Sequence, residues 1–464
     1  MIVSRPLSPS EHFYRSRNSS GFYKSFQVTA TYTNPIPQPL LSRALRKTVL
    51  DYHLLVCNVV PKNDDHWYVP LPRVLLEDLL ECHSLEEFLT DGVINERFMK
   101  YANEFSFRFS DNKPLFRVLQ LGDRNLSVIF EHTIADGLVG NYFHEILVEN
   151  LALVEEKASD DTFLSAYGPF DDLGMKSVIF DCERDYNLIK NSLHPPIDDF
   201  VPLPRPSVVT PVNSALPMWP GRFPCSRDNV LAFKLINIDA QQARLILAKC
   251  KANKVTLTAY IEAVIVYSMQ PIYGKNHYST CKLPIALRRF IDPAKTDPQY
   301  HDILNNPKYK ILGTSAHGGI AEVFEPLSEF SWELVQRIGA NLAKNVQNKE
   351  LMNAFFAFTT PELAIGNSPE FFEAQMRPTT QDTMKFSNLG LIDVPMYNSW
   401  SITNMVFSQD VSPPAADFML NLVSTKVGGL NFVFSYADNK FEEGRENFDD
   451  ILTAFRENLI KFAQ

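Results

Sequence analysis

His132-Thr133-Ile134-Ala135-Asp136-Gly137 holds an imidazole, a carboxylate and a glycine in one short stretch, and its flanks indicate the kind of fold that carries it. Upstream, Leu115 to Leu121 and Leu126 to Phe130 read as two apolar strands joined by the turn-rich Gly122-Asp123-Arg124-Asn125, which is a β-hairpin signal. Downstream, Leu138, Val139, Tyr142, Phe143, Ile146 and Leu147 recur at i, i+3, i+4 spacing and predict an amphipathic helix. Asp136-Gly137 is therefore the break where a strand hands over to a helix, and His132 falls at the strand end. A side chain in such a break is held by the rigid elements on either side and can face a cleft. Strand, break and helix in that order point to an α/β (α+β) chain with His132 as a candidate catalytic residue.

A His-x-x-x-Asp match alone is weak. With ten histidines, and aspartate at roughly one residue in twenty, about half a match is expected by chance, and the chain has two. The second lies in His194-Pro195-Pro196-Ile197-Asp198, where two prolines oppose regular structure, so it reads as a linker coincidence. His144 sits in the predicted helix beside Glu145 and reads as a surface or core residue rather than a second base. Context, not the match itself, singles out His132.

The chain has 464 residues, too many for one ordinary core, and about 100 to 200 residues per domain suggests two units. Hydrophobic residues at 45% and charged residues at 21% are those of a globular protein with a large core, which sets disorder aside. A net charge of −10 opposes general nucleic-acid binding, which needs clustered Lys and Arg. Cysteines 57, 82, 182, 225, 250 and 281 contain no Cys-x-x-Cys pair and no His partner at zinc-ligand spacing, so no metal is expected. The polar start, with Ser4-Arg5-Pro6, has no apolar core to serve as a signal peptide, and no run of 18 apolar residues occurs. A cytoplasmic protein with reduced thiols is the expectation, not membrane-spanning, with peripheral contact to endoplasmic reticulum or lipid droplets left open.

Several familiar motifs are missing. Gly313-Thr314-Ser315-Ala316-His317 fails the Gly-x-Ser-x-Gly elbow at its last position. Neither a Walker loop nor a Gly-x-Gly-x-x-Gly fingerprint occurs, so nothing argues for nucleotide chemistry.

From Asp198 to Pro224, prolines stand at 202, 204, 206, 211, 217, 220 and 224, which predicts an extended crossover at 198–224. It divides the chain into 1–197, carrying His132, and 225–464. In the second unit Val230 to Ile238 reads as a strand, Asp239 as a helix N-cap, Thr258 to Met269 as a buried helix and Leu430 to Tyr436 as a strand. Phe448, Ile451, Leu452, Phe455, Leu459, Ile460 and Phe462 mark a terminal amphipathic helix, expected to pack on the core rather than on a membrane.

The motif, its strand-end position and its place about a third of the way along resemble the CoA-dependent acyltransferase superfamily that includes chloramphenicol acetyltransferase and the plant BAHD enzymes. Three segments are similar to the fungal alcohol O-acetyltransferase family: Leu7-Ser8-Pro9-Ser10-Glu11-His12-Phe13-Tyr14, Leu283-Pro284-Ile285-Ala286-Leu287-Arg288-Arg289 and Phe386-Ser387-Asn388-Leu389-Gly390. No Asp-Phe-Gly-Trp-Gly occurs near the C-terminus, which departs from the plant branch. The resemblance implies two chloramphenicol-acetyltransferase-like sandwich domains with a tunnel between them and His132 at its middle. It also implies that Asp136 turns from the substrate to pair with an arginine of the second domain, here Arg288 with Arg289 as fallback, and that Gly137 supports the site.

An acyl transfer to a hydroxyl needs a base, and histidine is the side chain whose ordinary pKa lies nearest neutrality. His132 is that base. The tetrahedral oxyanion needs a donor, for which Ser387 and Asn388 are candidates as polar residues of the late motif. The expected function is an acetyl-CoA-dependent O-acetyltransferase acting on a small or lipid-like alcohol, with no covalent intermediate and acetyl-CoA held by a local basic patch. N-acetylation of an amino-lipid or amphiphilic amine uses the same base. A non-catalytic lipid-binding module on the same fold is the alternative from another class. The expected state is a monomer.

Overall fold

A computed structural model describes residues 3–464 except 84, 169–173, 190, 201–213, 222–225, 228–229, 307, 348–368, 377–379 and 439–444. The predicted hairpin forms as Phe116–Leu121 and Asn125–Phe130, paired antiparallel from Asn125 opposite Leu121 to Phe130 opposite Phe116. Asn125–Phe130 is the centre of a five-stranded sheet. Phe26–Tyr32 flanks it on the other side, and Leu80–His83 adds a parallel edge beyond Phe116–Leu121. The helix Gly137–Glu156 crosses this sheet beside Gln38–Asp51. Val139, Phe143, Leu147 and Leu151 meet Val28, Val128 and Phe130 in one buried cluster. Gly140 sets the distance, since a Cβ there would lie 2.3 Å from Val28 Cγ2.

The second lobe is a six-stranded sheet in the order Leu231–Ile238, Gly429–Ala437, Ala416–Thr425, Asp382–Ile392, Ser279–Ala286, Ala316–Phe324. It is mixed, with Asp382–Ile392 parallel to both of its neighbours. Asp239 caps the helix Ala240–Ala252 by accepting from the Gln241 and Gln242 N–H groups, and Thr256 caps Leu257–Ser268. In the terminal helix Arg445–Lys461, Phe448, Ile451, Leu452, Phe455 and Leu459 are buried in the core of this lobe, each such side chain contributing about 1.5–3 kcal/mol. The helix thus spends its apolar face on the sheet.

Two features tie the lobes together. Ile402–Gln409, although late in the chain, pairs antiparallel with Phe26–Tyr32 at the edge of the first sheet. A cut at 198–224 therefore divides the sheets by majority and leaves this strand with the first lobe. Leu119, Leu121 and Ile129 of the first sheet also share a buried cluster with Phe233 and Val433 of the second.

Residues 201–213 and 222–225 of the proline-rich crossover lie outside the described residues. What is described of it is docked. Trp219 N–H donates to Tyr278 O, Tyr278 N–H donates to Pro217 O, and the Trp219 ring is buried against Tyr273 and Phe418. Among the described residues no helix is long and apolar enough to cross a membrane.

Candidate active site

His132 follows the end of Asn125–Phe130 in a turn tied on both sides. Glu131 N–H donates to Leu115 O, the Glu131 carboxylate accepts from Thr133 N–H and Asn18 Nδ2, and Tyr68 Oη donates to Thr133 O. Burial raises the Glu131 pKa, and its hydrogen bonds oppose the shift. The His132 ring lies parallel to Tyr14, with centroids 4.3 Å apart and planes 5° from parallel. Tyr23 and Phe26 meet it edge-on at 5.5 and 5.4 Å. An aromatic pair of this kind adds about 0.5–1.5 kcal/mol to the burial it brings. From the second lobe, Thr314 Oγ1 stands 3.5 Å from His132 Nδ1.

Asp136 faces another way. It is the N-cap of Gly137–Glu156, where Oδ1 accepts from Val139 N–H at 3.3 Å. Oδ2 accepts from Arg288 Nη1 at 2.7 Å and from Ser315 N–H at 2.8 Å. Burial alone would raise its pKa, but the Arg288 charge and hydrogen bond, then Ser315 N–H and His132, hold it below the ordinary value. Arg288 also donates to Ile311 O at 3.0 Å and to Gly313 O, stitching the 311–315 segment to the helix start. Arg289 is exposed. At Gly137 a Cβ would lie 2.6 Å from Leu389 Cδ2, so the second lobe closes directly on the helix terminus.

His132, Asp136 and Gly137 line a cavity of about 200 Å³ that takes further walls from the second lobe, among them Lys282, Ala316, Lys385 and Ser387. Lys385 is lowered to about 8 by burial and by Lys282, against Asp382. Asp410 is raised to about 6 by burial, although the Lys24 and Val411 N–H groups donate to it. Of the two late-motif candidates, only Ser387 lines the cavity. Asn388 is engaged elsewhere. Its amide donates to Thr258 Oγ1 at 3.0 Å and its carbonyl oxygen accepts from Gly390 N–H. Alternation along the strand Asp382–Ile392 explains the split, since Lys385, Ser387 and Leu389 face the first lobe while Phe386 and Asn388 face the helices behind.

Tyr14, Arg17, Thr314 and Lys385 are site residues that motif reading did not single out. Tyr14 ends the Leu7–Tyr14 segment, and Thr314 lies in the failed serine elbow. Nothing in their spacing from His132 signals contact, since a fold closes gaps of that length. His144 is in the core, with Tyr32 Oη at 2.8 Å from Nδ1 and Val28 O at 2.9 Å from Nε2. His194 lies in irregular chain as its prolines demand, yet it is buried, and Arg5 Nε donates to its carbonyl. His12, Asp65 and His66 bring ligand atoms within 4.8 Å of one another, a spacing that could hold a metal, but none of them lines the cavity.

The chain is similar to several known proteins. N-acetyltransferase SLI1 of Saccharomyces cerevisiae is 21% identical over 93% of this chain and 94% of that protein. Alcohol O-acetyltransferase 2 of the same yeast is 21% identical over 99% of this chain and 96% of that protein. TRI3 trichothecene 15-O-acetyltransferase from Fusarium sporotrichioides shares the fold with a TM-score of 0.64, at 12% identity over 99% of this chain and 95% of that one. The alcohol acetyltransferase family model matches residues 9–459, nearly the whole chain. With a match of that extent, the chain belongs to the alcohol acetyltransferase family and is a CoA-dependent acyltransferase.

Proposed function

We propose that the chain is an acetyl-CoA-dependent O-acetyltransferase that makes acetate esters from small or lipid-like alcohols, with His132 as general base. The observation that carries this reading is His132 set in a cavity lined by both lobes, with Asp136 committed to Arg288 and Ser315. His132 Nε2 takes the hydroxyl proton as the alcohol oxygen attacks the thioester carbonyl. Ser387, which lines the same cavity, donates to the oxyanion that develops. Collapse breaks the carbon–sulfur bond, and the CoA thiolate takes the proton back from His132. No enzyme acyl bond forms, so both substrates occupy the site together, entering from opposite ends of a tunnel between the lobes. Arg17, Lys282 and Lys385 form the local basic lining that an anionic cosubstrate requires in a chain of net charge −10. The chain acts as a cytoplasmic monomer without a metal.

Amide formation is the second reading, favoured by the 21% identity to N-acetyltransferase SLI1, which equals the identity to Alcohol O-acetyltransferase 2. The same base serves either nucleophile. Incubation with acetyl-CoA and matched alcohols and amines, with products identified by mass and by lability to mild hydroxide, separates the two. Acetate ester as the main product is expected. Amide alone would replace the first reading with the second, and no product would remove both.

A further inference from the structure

Lys385 stands directly opposite Lys282 in the parallel pairing of Ser279–Ala286 with Asp382–Ile392, and both line the cavity. Like charges at such a position repel. The neighbouring carboxylate does not settle the matter evenly, because Asp382 Oδ2 lies 3.8 Å from Lys282 Nζ. Across the cavity Arg17 adds a third cation, Asp136 is held by Arg288, and Asp410 accepts from main-chain N–H groups. Tyr14 and Tyr23 stay neutral, since burial raises both. Among the described residues no hydrogen bond or ion pair reaches Lys385 Nζ, and it is not among the sealed polar atoms.

An amine enclosed beside other cations gives up its proton readily and becomes a nucleophile. Burial and Lys282, joined by Arg17, outweigh Asp382 and bring the Lys385 pKa down to about 8. Position adds to reactivity. Lys385 and Ser387 are alternate residues of one strand and line the same cavity, so their Cα atoms are about 7 Å apart. The four-carbon stem of a lysine covers that span. A thioester whose carbonyl oxygen is held at Ser387 is therefore within reach of Nζ.

We propose that Lys385 is a self-acetylation site: with acetyl-CoA bound and the acceptor absent, its unpartnered amine takes the acetyl group from the thioester. Nζ attacks the carbonyl carbon, the carbon–nitrogen bond forms and the carbon–sulfur bond breaks. CoA leaves as the thiolate and takes the proton that the nitrogen sheds. The resulting amide is not passed on to an alcohol, so it lies outside the catalytic cycle. Its effect is on charge. Acetylation removes one of the three cations of the lining and weakens the hold on the anionic cosubstrate, so the chain limits itself when donor is plentiful and acceptor scarce. The proposal rests on the reading that acetyl-CoA occupies this cavity.

The test is incubation of the full-length protein with acetyl-CoA and no acceptor, followed by intact mass and peptide mapping over time. One fast acetyl addition at Lys385 is expected, about tenfold or more ahead of the other lysines at pH 8, where an ordinary lysine is neutral only about one part in 300. The rate should rise with pH and level off above about 8, as the amine becomes fully neutral. Lys385→Arg keeps the charge and should lack the fast addition. Preincubation with acetyl-CoA should then raise the KM for acetyl-CoA by about tenfold in wild type, the scale of one hydrogen bond to a charged group, and leave it unchanged in Lys385→Arg. Acetylation of Lys385 no faster than that of the other lysines, or none at all, would overturn the proposal. If acceptor-dependent thiol release is still seen with Lys385 unmodified, the proposal falls and the transferase reading stands. If neither release nor modification is seen, both fall.

Discussion

Arg288 Nη1 lies 2.7 Å from Asp136 Oδ2, an ion pair that joins the two lobes across 152 residues of sequence. Both groups are buried, with side-chain exposures of 10% and 1%, so each depends on the other for compensation of its charge.

Removing one partner should therefore cost far more than the pair contributes. Arg288→Met is expected to destabilise the protein by about 3–5 kcal/mol in urea titration, because it leaves a buried carboxylate uncompensated. Asp136 sits below its ordinary value of 3.8, so its contribution is present above that pH and is lost as pH falls through the folded-state value. Asp136→Asn should show a weaker acid dependence of stability in that window than wild type.

Gly140→Ala tests the packing under the site without touching its chemistry. The added methyl would lie 2.3 Å from Val28 Cγ2 and 2.9 Å from Val28 Cβ, and a β-branched residue in a central strand yields little. A loss of about 1–3 kcal/mol in thermal or urea unfolding is expected. An unchanged stability would mean that the helix Gly137–Glu156 sits farther from the sheet.

Gly313→Ala should be harsher on activity. A Cβ there would fall 1.6 Å from His194 Nε2, inside a buried ring packed near Arg5 and Glu11. Relief requires moving the 311–315 segment, which carries the carbonyl partners of Arg288 and the Thr314 hydroxyl. Activity is expected to fall about 100-fold, since small misplacements at a reacting centre have effects of that size. His194→Ala introduced with it should restore part of the loss.

The cavity cations give a pH signature. Lys385, lowered to about 8, is charged below that pH and neutral above it. KM for acetyl-CoA is expected to rise by about tenfold as pH passes through 8, the scale of one hydrogen bond to a charged group, and Lys385→Met should flatten the dependence. The same lysine makes stability rise between about 8 and its ordinary value of 10.5, because there the unfolded chain binds the extra proton. A KM independent of pH in both proteins would remove Lys385 from cosubstrate binding.

The elements around His132 were legible because their signals are local. The hairpin, the break at Asp136-Gly137 and the helix each follow from periodicity within about ten residues. The return of Ile402–Gln409 to the first sheet was not legible, since a strand's own sequence does not name its partner. Thr314 and Tyr14 escaped for the same reason: both reach His132 only through tertiary contact, Tyr14 within the first lobe and Thr314 from the second, 182 residues away. Ser387 and Asn388 show the opposite limit. The motif located the segment, and only its pleat as a strand decided which of the two faces the cavity.

The central claim is that His132 takes the acceptor proton in acyl transfer. Acceptor-dependent thiol release from acetyl-CoA should therefore be measured for wild type and His132→Ala at saturating substrate. The account predicts release by wild type and a fall of about 10²–10⁴-fold in the variant, with its fold intact. Release by His132→Ala at a rate close to wild type would contradict it.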